Sequence, residues 1–329
     1  MTFHTDLGSY TPMQMAEGIA SEQTTPARRS ADDRQAPVMP VPALCCAVVV
    51  SYNPTPDLIE NLRVLSPQLG RVLVVDNGSS PNCDSTLALV ETIQHCILVR
   101  LDSNLGTAGA LNIGVQRALR DAFAWILTFD QDSRVTPGYV ESMLADYAAE
   151  DWNSDVGMVA PRYLDAKLGL SYESPRLPTT DLLEVVTAGA MTPAHVFRRV
   201  GIFDESLFID HVDSEFSLRC RKHGYRLIAS PSSLLIHSIG AMAPYRLWRR
   251  TYYPSNHSPG RRYYIARNRI HLILRNWRDW RWVVYQQRAA TVELVKVLLM
   301  EKDRRAKLWC TACGVFDGLA GKLGKRWEL

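Results

Sequence analysis

The chain has 329 residues, 37 Lys+Arg and 34 Asp+Glu, a formal net charge of +3, and is 47% hydrophobic and 22% charged. That length buries a sizeable core as one large or two ordinary domains, and the composition excludes global disorder, collagen and a disulfide scaffold. The near-neutral sum hides a split: residues 244–329 hold 19 Lys/Arg and 6 Asp/Glu, net +13, which leaves 18 and 28, net −10, for residues 1–243.

Residues 1–42 are polar, carry Pro26, Pro37 and Pro40, and read as a flexible extension without the basic start and apolar run of a signal peptide. From Leu44 the pattern alternates. Leu44–Val50 is a continuous apolar run, as a buried parallel strand requires. Pro54 and Pro56 end it, and a helix is predicted over residues 57–66. Val72–Val75 is a second strand that runs into the turn cluster Asp76-Asn77-Gly78-Ser79. A helix near 85–94, a strand at 96–101, a Gly-rich turn with a helix over 107–121, and a strand at 123–129 follow. This alternation predicts a doubly wound α/β sheet whose ligands sit at the strands' carboxyl ends, where Asp76, Asn104 and Asp130 converge. Beyond residue 150 the pattern predicts a strand at 156–160, a polar excursion over 165–185, helices at 194–200 and 213–223, and short strands at 226–229 and 234–237. Residues 281–309 carry a long helical pattern, and six of the eight Trp lie in the last 86 residues. No run of about 18 apolar residues occurs, so no spanning helix is predicted. The seven scattered Cys read as reduced thiols of a cytosolic protein, because Cys310-x-x-Cys313 has no partner pair for a zinc site.

Five motifs carry chemistry. Asp130-Gln131-Asp132 places two carboxylates one residue apart just past a strand, so they point to one side and can share a hard cation suited to a diphosphate. An Asp-rich turn is the plainer reading. Asn104-Leu-Gly106-Thr-Ala-Gly109 lets backbone approach a ligand at a helix start, or simply caps and packs that helix. Asp210-His211-Val212-Asp213-Ser214-Glu215 holds three carboxylates in six residues; one could deprotonate a hydroxyl, or all could serve a helix N-terminus. His237, after an apolar strand, is a structural residue or a third metal ligand. Arg261-Arg262-Tyr263-Tyr264-x-x-Arg267-Asn268 suits phosphate or a solvated basic face. Nucleic acid is disfavoured, since no recognised binding motif is present and the acidic remainder would repel a long polyanion.

In order, Val49-Val-Ser51-Tyr52-Asn53-Pro54, Val75-Asp76-Asn77-Gly78-Ser79, Asn104-x-Gly106-x-x-Gly109-x-x-Asn112-x-Gly114, Asp130-Gln131-Asp132, Gly201-x-Phe203-Asp204-Glu205 through Glu215, and His237-x-x-Gly240 resemble family 2 glycosyltransferases of the GT-A fold. Phe208–Asp213 together with Arg262-Tyr-Tyr-x-x-Arg267-Asn268 is similar to rhamnosyltransferases, nearest those that add the second rhamnose in rhamnolipid synthesis. The resemblance covers residues 44–310. It implies a mostly parallel twisted sheet in a catalytic domain over 43–243, with a donor half at 43–135 and an acceptor half at 136–243, followed by a basic, Trp-rich helical region at 244–329. It implies an inverting, metal-assisted transfer of L-rhamnose from dTDP-L-rhamnose to mono-rhamnolipid or another rhamnosylated lipid. In its terms Ser51, Asn53, Asp76, Asn104, Gly106, Gly109, Asp130, Arg262 and Arg267 hold the donor. Asp130, Asp132 and His237 hold a divalent metal, Mg or Mn. Asp213 is the base, with Asp210 as the other candidate, because the family often shows Glu-Asp where this chain has Val212-Asp213. The alternatives are a rhamnosyltransferase of lipopolysaccharide or capsule assembly and, more remotely, a non-catalytic nucleotide-binding module. A processive synthase is disfavoured, since Gln286-Gln287-Arg288 is followed by Ala289 where that class carries Trp. The basic end with its Trp residues fits either a helix lying on the inner leaflet of the cytoplasmic membrane or an ordinary packing helix with a solvated basic face.

Overall fold

The structure, a computed structural model, describes residues 40–150, 155–165, 170–172, 182–237, 244–247 and 250–327. The expected N-terminal extension, apart from residues 40–42, and Gly240 lie outside the described residues, as does much of the polar excursion. The described residues divide into two compact units, one ending at His237 and one running from residue 244 onward.

In the first unit β1 (Cys45–Ser51), α1 (Asp57–Leu65), β2 (Arg71–Asp76), α2 (Asp84–Val90), β3 (Cys96–Arg100), α3 (Gly106–Arg120) and β4 (Trp125–Asp130) follow the alternation read from the sequence. The apolar runs become strands buried on both faces: Cys45 to Val48 and Val72 to Val75 are all 0% exposed. In α1, Leu58, Ile59, Leu62 and Leu65 form one buried stripe, each adding about 1.5–3 kcal/mol on burial. After β5 (Arg134–Val135) come α4 (Tyr139–Ala149), β6 (Val156–Asp165), β7 (Leu170–Tyr172), β8 (Ala190–Pro193), α5 (Ala194–Val200), α6 (Val212–Lys222) and β9 (Arg226–Ile236). Among the described residues nine strands make one sheet in the order β3-β2-β1-β4-β8-β6-β9-β5, with β7 on β6. It is parallel from β3 to β4 and mixed beyond, where β8 runs antiparallel to both β4 and β6.

The two short strands expected at 226–229 and 234–237 are one strand, β9. The polar stretch between them stays in the sheet because Ser230 and Ser233 are buried and bonded: Ser230 Oγ donates to Asp146 Oδ2 (2.6 Å) and Ser233 Oγ to Tyr139 O (3.2 Å).

The second unit holds a hairpin of β10 (Tyr245–Leu247) and β11 (Arg250–Tyr252), then α7 (Pro259–Arg275), α8 (Trp280–Met300) and α9 (Arg304–Leu319). The pattern at 281–309 is therefore two helices. Between them Glu301 turns inward with its side chain 0% exposed, and pairs with Arg262 Nη2 (2.8 Å) and Lys307 Nζ (2.9 Å). A buried carboxylate needs such partners, and gaining them ends α8. α9 lies close along α7, where a Cβ on Gly314 would come within 2.3 Å of Tyr263 O.

Candidate active site

The parallel strands bring three polar residues to one sheet edge. Ser51 pairs in register with Asp76, and Val50 with Asp130. Ser51 and Asp76 are 0% and 1% exposed. Asp76 Oδ1 accepts a hydrogen bond from Ser79 Oγ, and Arg100 Nε lies 3.6 Å from Oδ2. Among the described residues, Ser51 Oγ and Asp76 Oδ2 find no hydrogen-bond partner. Orphaned buried acceptors are costly, and a ligand's N–H groups are one way to satisfy them.

The neighbouring loop residues brace this edge. Asn53 N donates to Ser79 Oγ (2.7 Å) and Asn53 Oδ1 accepts from Ser80 N (2.9 Å), tying the loop after β1 to that after β2. Asn104 Oδ1 accepts from Gly106 N (2.8 Å) and from Asn77 Nδ2 (3.1 Å). Asn77 also accepts from Leu105 N (2.8 Å), a hub that the sequence reading did not single out. Gly109 lies in the first turn of α3 beside Leu105. Asn112 grips Phe203 through N and O (2.9 Å each) and donates to Glu205 Oε1 (2.8 Å), so two motifs distant in sequence hold each other.

Past β4, Gln131 turns away from its two aspartates. Its amide accepts from Tyr52 N (2.8 Å) and donates to Tyr52 O (3.2 Å), and its own carbonyl accepts from Asn61 Nδ2 (3.2 Å). This fixes the turn and leaves Asp130 and Asp132 on the other side. His237 follows β9, whose pairing with β5 (Ile236 with Arg134) carries it to the same place. One ligand atom from each of Asp130, Asp132 and His237 lies within 4.8 Å of the others. His237 Nδ1 is buried and lies 3.3 Å from Asp132 Oδ1, with no well-aligned hydrogen-bond partner among the described residues. Two carboxylates and an imidazole at that spacing fit a divalent cation such as Mn or Mg. Burial pulls the His237 pKa down, but Asp132, Asp130 and Asp165 outweigh it and hold it above the ordinary value.

The acidic loop is strained. Phe208, Asp210 and His211 all have positive φ (66°, 62° and 59°). Phe208 makes a γ-turn, with Ile209 N donating to Leu207 O (2.8 Å). Such conformations persist only where surroundings impose them, and they cluster at functional sites. Here the surroundings include Gly106, whose φ is +79° and where a Cβ would lie 2.4 Å from Phe208 O. The glycine thus serves the approach of this loop. Gly106→Ala is expected to lower stability by about 1–3 kcal/mol, read from urea denaturation; an unmoved midpoint would contradict the packing described.

That loop delivers Asp213 in the first turn of α6. Its Oδ1 accepts from Ser214 N (2.8 Å), and Ser214 Oγ donates to Glu184 Oε2 (2.8 Å). Burial, then Glu184, raises the Asp213 pKa; with Asp210 they outweigh the Ser214 hydrogen bond and push it up to about 7. Glu215, by contrast, is held by Arg219 (2.9 and 2.6 Å), as its spacing predicts. Tyr163 on β6, whose hydroxyl donates to Ala188 O (3.1 Å), feels the charge of both acidic groups. Burial first, then the charges of Asp213 and Asp130, raises its hydroxyl above the ordinary phenol range. Neither Tyr163 nor Glu184 was singled out from sequence; Glu184 sits in the stretch read as a polar excursion.

Arg262 and Arg267, expected on the donor, are taken up inside the second unit. Arg262 is 4% exposed and binds Glu301 and Ser255 Oγ (2.9 Å). Arg267 is 0% exposed, donates to Gly324 O (2.6 Å) and stacks over Tyr264 (4.8 Å). These partners give the two guanidinium groups a structural use.

The sequence model of the family described as "Glycosyl transferase family 2" matches residues 46–202. The chain is 31% identical over 249 residues to the dTDP-rhamnosyl transferase RfbF of Shigella flexneri, covering 70% of this chain and 80% of that one. It is 26% identical to an uncharacterized glycosyltransferase, YwdF, of Bacillus subtilis, over 58% of this chain and 72% of that one. Among solved structures it is similar to the mannosyltransferase PcManGT of Pyrobaculum calidifontis in complex with GDP-Man and Mn2+, with TM-score 0.55, 17% identity, and 88% and 92% of the two chains covered. It is also similar to GalNAc-T7 with UDP, GalNAc and Mn2+, with TM-score 0.52 and 13% identity, over 84% of this chain and 57% of that one. These likenesses show the GT-A fold.

Proposed function

The chain belongs to glycosyltransferase family 2, and we propose that it transfers L-rhamnose from dTDP-L-rhamnose to a hydroxyl of a rhamnosylated lipid, with mono-rhamnolipid as the acceptor. The donor follows from the similarity to the Shigella rhamnosyl transferase. The observation that carries the chemistry is the group of Asp130, Asp132 and His237, whose ligand atoms lie within 4.8 Å of one another past the carboxyl end of β4. A single displacement needs such a diphosphate-holding group and a proton acceptor, the part this reading gives to Asp213.

In this reading Asp76 takes the N3–H of the thymine ring, while Ser51 and Asn53 line the nucleotide pocket. Asn104, Gly106 and Gly109 lie along the nucleotide and sugar. Asp130, Asp132 and His237 hold a divalent ion, which supplies charge neutralisation for the departing diphosphate. Asp213 takes the acceptor's hydroxyl proton as that oxygen attacks the anomeric carbon. The bond from that carbon to the diphosphate oxygen breaks, dTDP departs, and the configuration inverts. Asp210 acts through its charge on Asp213. Incubation of the purified chain with dTDP-L-rhamnose and mono-rhamnolipid, followed by mass spectrometry, tests the reading.

A lipid acceptor calls for a membrane-facing surface, and we place it on α8 and α9. Among the described residues, 12 of the 17 exposed large hydrophobics lie between Leu274 and Leu319. α8 buries Trp282, Gln286 and Val297 on one side and turns Val284, Val295 and Leu298 outward with Arg288 among them. On α9, Trp309 and Phe316, two turns apart, are 68% and 71% exposed. A second copy would set two faces of the +13 region against each other, whereas anionic headgroups complement it. No described helix is long and apolar enough to cross a membrane, so this face would lie on the surface. Phosphatidylglycerol vesicles should float the chain at low salt and release it at high salt. Absence of binding at low salt, or a dimer that masks the face, would remove this surface.

A further inference from the structure

The segment before β8 is pinned along α6. Leu182 N donates to Leu227 O of β9 (2.9 Å), and Val185 N donates to Ser217 Oγ (3.0 Å). Ser217 is 0% exposed, and Ser214, nearly one helical turn earlier, is 4% exposed. These two serines present one face of α6 to the segment: Ser217 takes its backbone and Ser214 takes the Glu184 carboxylate at 2.8 Å. His211 Nδ1 lies 3.2 Å from the same Ser214 hydroxyl. The backbone N–H of Ser214 in turn donates to Asp213 Oδ1.

We propose that Glu184 is a positioning residue for the transfer: through Ser214 it fixes the first turn of α6 and so sets the direction in which the Asp213 carboxylate faces. This rests on the reading of Asp213 as the base. Glu184 also acts on Asp213 as a charge, as does Asp210 on the base's own loop, and the neutral Tyr163 hydroxyl on β6 feels Asp213 in turn. A second negative charge makes ionisation of Asp213 harder and the resulting carboxylate a stronger base. The segment 182–185 thus gives the base its orientation and strength from outside the acidic motif.

Two variants of the full chain separate these parts. Glu184→Gln keeps an acceptor for Ser214 and removes the charge; Glu184→Ala removes both. With carboxyl-labelled protein, the 13C NMR titration midpoint of Asp213 should fall by about one pH unit in Glu184→Gln, a tenfold change in its ionisation constant. dTDP should bind both variants as it binds the unaltered chain, which reports the fold. In Glu184→Ala, release of dTDP from dTDP-L-rhamnose with mono-rhamnolipid should drop about tenfold or more at unchanged donor KM. An unmoved Asp213 midpoint in Glu184→Gln, or full turnover in Glu184→Ala, overturns the proposal. If Asp213→Asn itself keeps turnover while the midpoint still moves in Glu184→Gln, the base assignment falls and the link between Glu184 and Asp213 stands.

Discussion

Asp213→Asn is expected to lower turnover of dTDP-L-rhamnose by about 10²–10⁴-fold, the range lost with a general base, while dTDP binds as before. The same group sets a pH dependence. Its pKa is pushed up to about 7, so in the free enzyme kcat/KM should rise as pH rises through that value and the base ionises. The sign for stability is the reverse. A carboxyl whose folded pKa lies above its unfolded one costs the native state stability as pH rises between the two, up to about 7 here. The Asn variant, with nothing to ionise, should therefore melt no lower than the unaltered chain above that pH. A variant that is inactive yet fully folded separates chemistry from collapse; one that keeps most of its turnover would remove Asp213 from the base role and direct attention to Asp210.

The second large effect belongs to the Asp130, Asp132 and His237 group. Asp132→Ala should raise the Mn2+ concentration for half-maximal activity by about 10–100-fold, the usual scale for weakening a metal's support. His237→Ala should act in the same direction. Titration calorimetry with MnCl2 reads both without an acceptor. Because Asp130 and Asp132 hold the His237 proton more tightly than usual, a proton competes with the ion there, and Mn2+ affinity should fall as pH falls. Unchanged Mn2+ affinity in both variants would contradict the assignment.

Much of the donor side was legible in sequence, because buried parallel strands are written as unbroken apolar runs. Where such a run stops at Asp76 or Asp130, the residue falls at a strand's carboxyl end, and the register of β1 with β2 and β4 places the two at one edge. What stayed hidden depends on partners far along the chain. Ser230 and Ser233 looked like a break in a strand, yet Asp146 and the Tyr139 carbonyl keep them in β9. Glu301 looked like one more polar residue of a long helix, but Arg262 and Lys307 draw it inward. Those same bonds account for Arg262, which the basic motif alone had suggested for phosphate. Gly106 was read as room for a ligand, and its lack of a side chain is used by the carbonyl of Phe208. Glu184 left no local signal at all, since its place beside Ser214 is set by the path of residues 182–185 along α6.

The most direct measurement is product analysis by mass spectrometry. The purified chain would be given Mn2+ and mono-rhamnolipid with dTDP-L-rhamnose, UDP-glucose or GDP-mannose in turn. The account predicts one added deoxyhexose from dTDP-L-rhamnose, none with Asp213→Asn, and none from the other two donors. With a lipopolysaccharide or capsule precursor offered in a parallel reaction, rhamnose transfer to it and not to mono-rhamnolipid would keep the donor and move the acceptor. A hexose added from UDP-glucose or GDP-mannose, with dTDP-L-rhamnose left intact, would contradict the account.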